Sequence, residues 1–122
     1  MKKTVLIIDD FENSLFVTGF TIQTAGYNIL KANSGKKALD ILKTNKVIDL
    51  IITDYNMPEM NGLQFVNEAR GILANRNVPI FVLSTETRED IRKAAQAAGV
   101  TLWIKKPFKG EELVQYIKKA IG

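Results

Sequence analysis

The stretch VLIIDD, residues 5–10, decides the fold, because four apolar residues are followed at once by two carboxylates. A continuous apolar run of this length is typical of a strand covered on both faces, as central strands of a parallel sheet are. Leu50–Ile52 and Ile80–Leu83 are runs of the same kind. We therefore expect three central strands with polar residues where they end.

Two further strand candidates mix polar and apolar residues, which fits the edges of a sheet better than its centre. They are Tyr27–Ala32 and Val100–Lys105. Segments with a helical period near 3.6 alternate with the five strands. These segments are residues 12–25, 35–44, 63–74, 88–98 and 111–121.

Strict alternation of strands and helices predicts an α/β fold, with a parallel sheet, helices on both faces and right-handed crossovers. With the second and fifth strands at the edges, the strand order is 2-1-3-4-5. That order defines a flavodoxin-like (βα)5 three-layer sandwich. Ligands of such sheets bind beyond the carboxyl ends of the strands where the strand order reverses, here between the first and third strands.

Local signals give expectations for the helix ends. Ser34 is expected to cap helix 35–44. Thr87 and Asp90 resemble a capping box at the start of helix 88–98, with Asp in place of the usual Glu or Gln.

The apolar stripes of two helices differ in size. Phe16 and Phe20 lie on the stripe of helix 12–25, and we interpret them, together with Phe11, as core packing. The stripe of helix 88–98 has one large residue, Ile91, and otherwise Ala94, Ala95 and Ala98. Alanines bury little area, so we expect this helix to dock weakly and to be able to shift.

The composition excludes several kinds of chemistry. The 122 residues include no His and no Cys, which rules out imidazole and thiolate sites. A bound metal should then be a hard cation such as Mg²⁺. The net charge is +4, but the Lys and Arg residues are scattered, so we expect no nucleic-acid binding. We see no signal peptide and no membrane segment, and we expect a cytoplasmic protein.

Polar residues at four strand ends should meet in one crevice. Asp9–Asp10 follow the first strand and Asp54 follows the third. Carboxylates so close repel one another unless a cation offsets their charge. Lys106 follows the fifth strand, and Ser84–Thr85 end the fourth with hydroxyls. Each feature alone could be a helix cap or surface charge, but together they make an oxygen cage for Mg²⁺ suited to a phosphoryl group.

These motifs resemble the response-regulator receiver domain, and stand-alone CheY-like members in particular. The resemblance covers essentially the whole chain and implies one receiver domain over residues 1–122, without an effector domain. It is carried by Ile7–Phe11, Thr53–Pro58, Asn61–Gly62, Leu83–Glu86 and Lys106–Phe108.

The resemblance implies a role for each site residue. Asp54 would be the phosphoacceptor and would form an aspartyl phosphate. Asp10 would bind Mg²⁺ directly and Asp9 largely through water, while Asp54 and the backbone carbonyl of Asn56 would complete the protein ligands. Lys106 would pair with Asp54 at rest and with the phosphoryl group afterwards.

The resemblance also implies a switch. The Ser84 hydroxyl would move to a phosphoryl oxygen, and Trp103 occupies the position of the switch aromatic. Trp is larger than the usual Tyr or Phe there, so its inward position should be only partly accommodated. The Lys106–Pro107 peptide bond would be cis. Residues that would tune phosphoryl lifetime and access are Asn56, Thr85 and Glu86.

Without histidine, the phosphoryl donor must be another protein, and the resemblance implies a sensor histidine kinase or a histidine phosphotransfer protein. Phosphorylation would switch the face of helix 88–98, the fifth strand and helix 111–121 for a downstream protein target. We expect a monomer that promotes its own phosphorylation and dephosphorylation but is not otherwise an enzyme. The alternatives are a Mg²⁺-dependent phosphatase with an aspartyl nucleophile, a flavin module and a basic nucleic-acid binder.

Overall fold

The sheet of this protein has five parallel strands in the order β2-β1-β3-β4-β5. A computed structural model describes residues 2–44, 46–73 and 76–122. The predicted fold class and strand order are confirmed. The strands are β1 (Thr4–Ile8), β2 (Asn28–Ala32), β3 (Leu50–Asp54), β4 (Ile80–Ser84) and β5 (Leu102–Lys105).

The central strands are the continuous apolar runs of the sequence. Every residue of β3 and β4 is buried, whereas the edge strands β2 and β5 are partly exposed. Pairing sets Ile8 opposite Thr53 and Asp54 opposite Leu83. Because the strands are parallel and in this register, the residues that end β1, β3 and β4 lie side by side at the carboxyl ends of the strands.

Helices cover both faces of the sheet and bury two apolar clusters. Val66 and Ala69 belong to the cluster on one face, and Leu15 and Ile117 to the cluster on the other. No helix in the described ranges is long and apolar enough to cross a membrane. The helices are α1 (Glu12–Thr24), α2 (Gly35–Leu42), α3 (Gly62–Ile72), α4 (Glu89–Ala97) and α5 (Gly110–Ile121).

One of the two predicted helix caps is confirmed and the other is wrong. The Ser34 hydroxyl accepts a hydrogen bond from the Lys37 N–H at 3.1 Å. The capping box of Thr87 and Asp90 does not form, because α4 starts one residue later than predicted, at Glu89. Its N-cap residue is Arg88, which makes no side-chain cap, and the Asp90 carboxylate pairs with the Arg88 guanidinium at 2.7 Å instead.

The core interpretation of the three phenylalanines is also wrong. Phe11, Phe16 and Phe20 are 60%, 64% and 61% exposed. Gly19 lets α1 lie close to β2, since a Cβ atom there would be 3.1 Å from Ile29. Because these phenylalanines are exposed, the apolar surface of α1 extends beyond the part of the helix that contacts the sheet. Its outer part, which we call the phenylalanine face, consists of Phe11, Phe16, Val17 and Phe20.

Helix α4 is weakly docked, as its composition predicts. Ala95 is its one buried residue, and Ile91 is half-buried. Ala94 is exposed, so the predicted stripe is narrower than we expected. Little apolar area therefore holds α4 against the sheet.

Candidate functional site

Three carboxylates meet at the shared edge of the sheet. Asp54 is the last residue of β3, and Asp9 directly follows β1 and extends its pairing through an N–H donated to the Ala32 carbonyl at 3.2 Å. Asp9 and Asp54 are buried, and Asp10 is exposed. One oxygen from each of the three lies within 4.8 Å of the others. This all-oxygen cluster fits a hard metal cation and has the donor set that such a cation prefers.

Burial disfavours the ionised forms of this cluster. It raises the pKa of the Asp9 carboxyl; the hydrogen bond from the Phe11 N–H opposes the shift, and the Asp54 charge adds to it. Burial likewise raises the pKa of Asp54, against the effect of the Lys106 ammonium. A bound cation would therefore stabilise the ionised cluster.

Lys106 supplies the internal cation predicted from the sequence. Its ammonium donates a hydrogen bond to Asp54 Oδ1. Its backbone N–H donates to the Ser84 carbonyl at 2.8 Å, which ties the loop after β5 to the end of β4. The Lys106–Pro107 peptide bond is cis, as expected.

The loop after β4 carries the hydroxyls. Ser84 is buried, and its Oγ accepts a hydrogen bond from the Glu86 N–H at 2.8 Å. Within the described ranges the Ser84 hydroxyl donates to no protein acceptor, so its proton is available. Thr85 is exposed and lines the rim beside Asp9 and Lys106.

The loop after β3 is held close to the strand end. Gly62 donates its N–H to the Tyr55 carbonyl at 2.8 Å, and a Cβ atom at Gly62 would lie 2.6 Å from the Asp54 carbonyl oxygen. Only glycine fits this approach. Asn61 caps α3 in a reciprocal box with Gln64. Asn56 lies in this loop and is exposed.

Two features of the site escaped sequence reasoning. The Tyr55 and Trp103 rings contact each other, with centroids 5.5 Å apart and planes tilted by 50°. A groove of about 610 Å³ opens beside Lys106, between α1 and the start of α5. Val17 and Phe108 are among its apolar lining residues. A contact and a groove between distant segments leave no local pattern in the sequence.

A family model for the response regulator receiver domain matches residues 5–118. The chain belongs to the response regulator receiver domain family. A chemotaxis protein CheY homolog of Campylobacter jejuni is 33% identical over 119 residues, which are 97% of this chain and 92% of that protein. Chemotaxis protein CheY1 of Helicobacter pylori strain 26695 is also 33% identical, over 97% of this chain and 96% of that protein.

A solved structure agrees with these relatives. Chemotaxis protein CheY4 of Vibrio cholerae superposes with a TM-score of 0.91 and 33% identity, over 98% of this chain and 99% of that one. The receiver domain is therefore CheY-like and belongs to two-component signalling. Membership of this family does not favour the alternative interpretation of the chain as a Mg²⁺-dependent phosphatase.

The raised pKa of Asp9 predicts a pH effect on stability. A carboxyl whose pKa is higher in the folded state stabilises the fold at low pH, and this stabilisation is lost as the pH rises through the folded pKa. Asp9→Asn removes the charge but keeps an oxygen that can accept from the Phe11 N–H. Without divalent cations, we expect the free energy of unfolding of Asp9→Asn to exceed that of the wild type at pH 7 by about 1 kcal/mol. Urea unfolding at several pH values measures the difference, which should shrink toward about pH 4; a difference independent of pH would contradict it.

Proposed function

We propose that this receiver domain accepts a phosphoryl group on Asp54 from a phosphohistidine of another protein. The observation that carries the proposal is the buried Asp54 carboxylate, which ends β3 inside a cluster of carboxylates and contacts the Lys106 ammonium. Phosphoryl transfer needs positioned groups and charge neutralisation more than covalent machinery, and this arrangement provides both.

In the proposed step, a carboxylate oxygen of Asp54 forms a bond to phosphorus while the bond from phosphorus to the donor nitrogen breaks. The imidazole leaves with the electron pair of that bond. Lys106 turns from Asp54 to the oxygens of the transferred group and offsets their charge. The Ser84 hydroxyl, whose proton is available, donates to one of these oxygens.

We propose Mg²⁺ as the cation of the carboxylate cluster, held by Asp9, Asp10, Asp54 and the backbone carbonyl of Asn56. Bound there, Mg²⁺ would offset the negative charge of the phosphoryl oxygens during transfer. Support comes from the oxygen-only donor set and from the burial that disfavours an ionised cluster without a cation.

Residues at the rim of the site would set how fast water removes the phosphoryl group. We propose Asn56, Thr85 and Glu86 for this role. Thr85 is exposed beside Lys106, where its side chain narrows the access of water and of small donors. The chain would thus promote both its own phosphorylation and its own dephosphorylation.

The donor that we propose is a sensor histidine kinase or a histidine phosphotransfer protein. The chain contains no histidine, so a phosphohistidine must lie on another molecule. A sensor histidine kinase, CheAY of Helicobacter pylori, is 30% identical over 118 residues, which are 96% of this chain and 15% of that protein. This relative supports a histidine kinase partner. We propose that residues 1–122 form one receiver domain, which works as a monomer in the cytoplasm and acts on a separate target protein.

The phenylalanine face suits the docking of the protein donor. Its Phe11 directly follows Asp10 in the chain, and its Phe16 and Phe20 rings on α1 are stacked with centroids 6.3 Å apart. Val17 also lines the groove that opens at Lys106. An exposed apolar surface on the helix that begins at the carboxylate cluster is typical of a protein-binding site.

Replacing both Phe16 and Phe20 by serine tests this docking surface. We expect kcat/KM for phosphotransfer from a histidine-phosphorylated protein to fall about tenfold or more, since apolar anchors dominate such interfaces. The rate with a small acyl phosphate should be unchanged. Val47→Ser is the matched control, since Val47 is 72% exposed and lies before β3. An equal loss with both donors, or no loss with the protein donor, would contradict the docking surface.

For the output, we propose that phosphorylation switches the face formed by α4, β5 and α5 for binding a downstream protein. The weak docking of α4, which directly follows the Ser84 loop, supports this choice. Hydrogen exchange over residues 86–98 should change when the site is phosphorylated. An unchanged exchange pattern would reject the switch.

The test of the proposed function is intact-mass spectrometry after mixing the protein with Mg²⁺ and a small acyl phosphate. We expect the mass of one phosphoryl group in the wild type and none in Asp54→Ala. An adduct that survives Asp54→Ala would overturn the proposal. Continuous turnover of phosphate esters, abolished in Asp54→Asn, would instead support the phosphatase alternative.

A further inference from the structure

We propose that Tyr55 is the positioning residue between the phosphoacceptor and the output face: it holds the Trp103 indole in its half-buried resting position, and phosphorylation of the adjacent Asp54 changes that position. The proposal rests on the proposed function of Asp54. Tyr55 takes no part in the proposed phosphoryl transfer itself.

The backbone of Tyr55 is fixed on both sides. Its N–H donates to the Leu83 carbonyl at 2.9 Å, and its carbonyl accepts from the Gly62 N–H at 2.8 Å. Gly62 approaches so closely that a Cβ atom there would be 2.9 Å from the Tyr55 Cα. Because the backbone beside Asp54 has little room to relax, we expect a displacement at Asp54 to reach the Tyr55 side chain.

Trp103 packs against the apolar cluster that includes Val66, and two opposing influences act on it there. The Tyr55 ring, at a centroid distance of 5.5 Å and a tilt of 50°, has a favourable aromatic geometry. The indole Nε1 is buried and, among the described residues, meets no hydrogen-bond acceptor. An unsatisfied buried N–H disfavours this position, whereas the contact with Tyr55 favours it.

The Trp103 indole borders the output face formed by α4, β5 and α5, so a shift of the indole would change that face. Trp103 lines a groove of about 300 Å³ between α4 and β5, together with Arg92 and Gln96. Tyr55 thus lies between Asp54, which precedes it in the chain, and the Trp103 indole, which borders α4.

The test uses Trp103 as a probe, since it is the only tryptophan of the chain. In Tyr55→Leu we expect the resting emission to shift to longer wavelength and acrylamide quenching to increase. We also expect most of the fluorescence change on phosphorylation by a small acyl phosphate with Mg²⁺ to be lost, at equal phosphoryl occupancy by intact mass. Tyr55→Phe keeps the ring and should behave as the wild type. Emission, quenching and response unchanged in Tyr55→Leu would overturn the proposal.

A second measurement covers the case in which Tyr55→Leu does not fold. In the wild type, nuclear Overhauser contacts between the Tyr55 and Trp103 rings should be present at rest and weaken on phosphorylation, while the single indole N–H resonance moves. Contacts and resonance unaffected by a confirmed phosphoryl adduct would overturn the role of Tyr55. If the wild type takes up no phosphoryl group, the proposed function fails instead, and the resting emission of Tyr55→Leu still tests the contact.

Discussion

Removing divalent cations is expected to stop phosphoryl acceptance. Asp9, Asp10 and Asp54 bring their oxygens within 4.8 Å of one another, and an acyl phosphate adds further negative charge. A metal ion contributes several kcal/mol to such charge stabilisation, so chelation should slow adduct formation at least about a hundredfold. The rate of mass increase with and without a chelator measures the effect, and re-addition of Mg²⁺ should restore it.

A variant of a single ligand sharpens this test. Asp10 is exposed, so Asp10→Asn should leave the fold intact and shift the Mg²⁺ concentration for half-maximal rate upward by about tenfold or more. Asp40→Asn, at an exposed carboxylate on α2, is the matched control and should leave that concentration unchanged. A chelator-resistant adduct, or equal effects of the two variants, would contradict a cation site at the carboxylates.

The second large effect is expected from Lys106→Met. Methionine removes the ammonium at a similar side-chain length, which leaves Asp54 without its internal cation and the transferred group without a donor. Loss of one such preorganised group slows a reaction by about 10²- to 10³-fold. We expect this reduction in the rate of adduct formation at saturating Mg²⁺. Lys105→Met is the natural control, since Lys105 is the adjacent, exposed residue at the end of β5. Equal rates for Lys106→Met and the wild type would show that the ammonium plays no part in transfer.

The fold could be predicted from the sequence because some apolar runs are continuous and others are interrupted by polar residues. Continuous runs become the buried strands β1, β3 and β4, and mixed runs become the edges, which fixes the strand order. Parallel strands then bring their carboxyl ends to one edge. The meeting of Asp9, Asp10 and Asp54 follows from that geometry, and Lys106 directly follows β5 at the same end of the sheet.

The exposure of the phenylalanine face was not predicted, because helical periodicity identifies which positions are apolar but not which of them contact the sheet. Phe16 and Phe20 satisfy the helical period as well as Leu15 does, yet they point to solvent. The width of the arc is itself a signal, since α1 has one charged residue, Glu12, in its whole length. An apolar arc wider than the contact with the sheet indicates a surface for another molecule.

The start of α4 and the Tyr55–Trp103 contact escaped prediction for other reasons. We expected the Asp90 carboxylate to accept from a backbone N–H, but it accepts two hydrogen bonds from the guanidinium of Arg88, two residues earlier. The contact between Tyr55 and Trp103 joins β3 to β5 across β4, so it depends on side-chain directions that sequence spacing does not specify.

The most direct test of the central claim is to identify the residue that carries the phosphoryl group. Borohydride reduces an aspartyl phosphate to homoserine and leaves free carboxylates unchanged, so peptide mass spectrometry after treatment marks the acceptor. For protein phosphorylated with Mg²⁺ and a small acyl phosphate, we expect homoserine at position 54 and aspartate at positions 9 and 10. Homoserine at position 9 or 10, or a phosphoryl adduct that yields no homoserine at position 54, would contradict it.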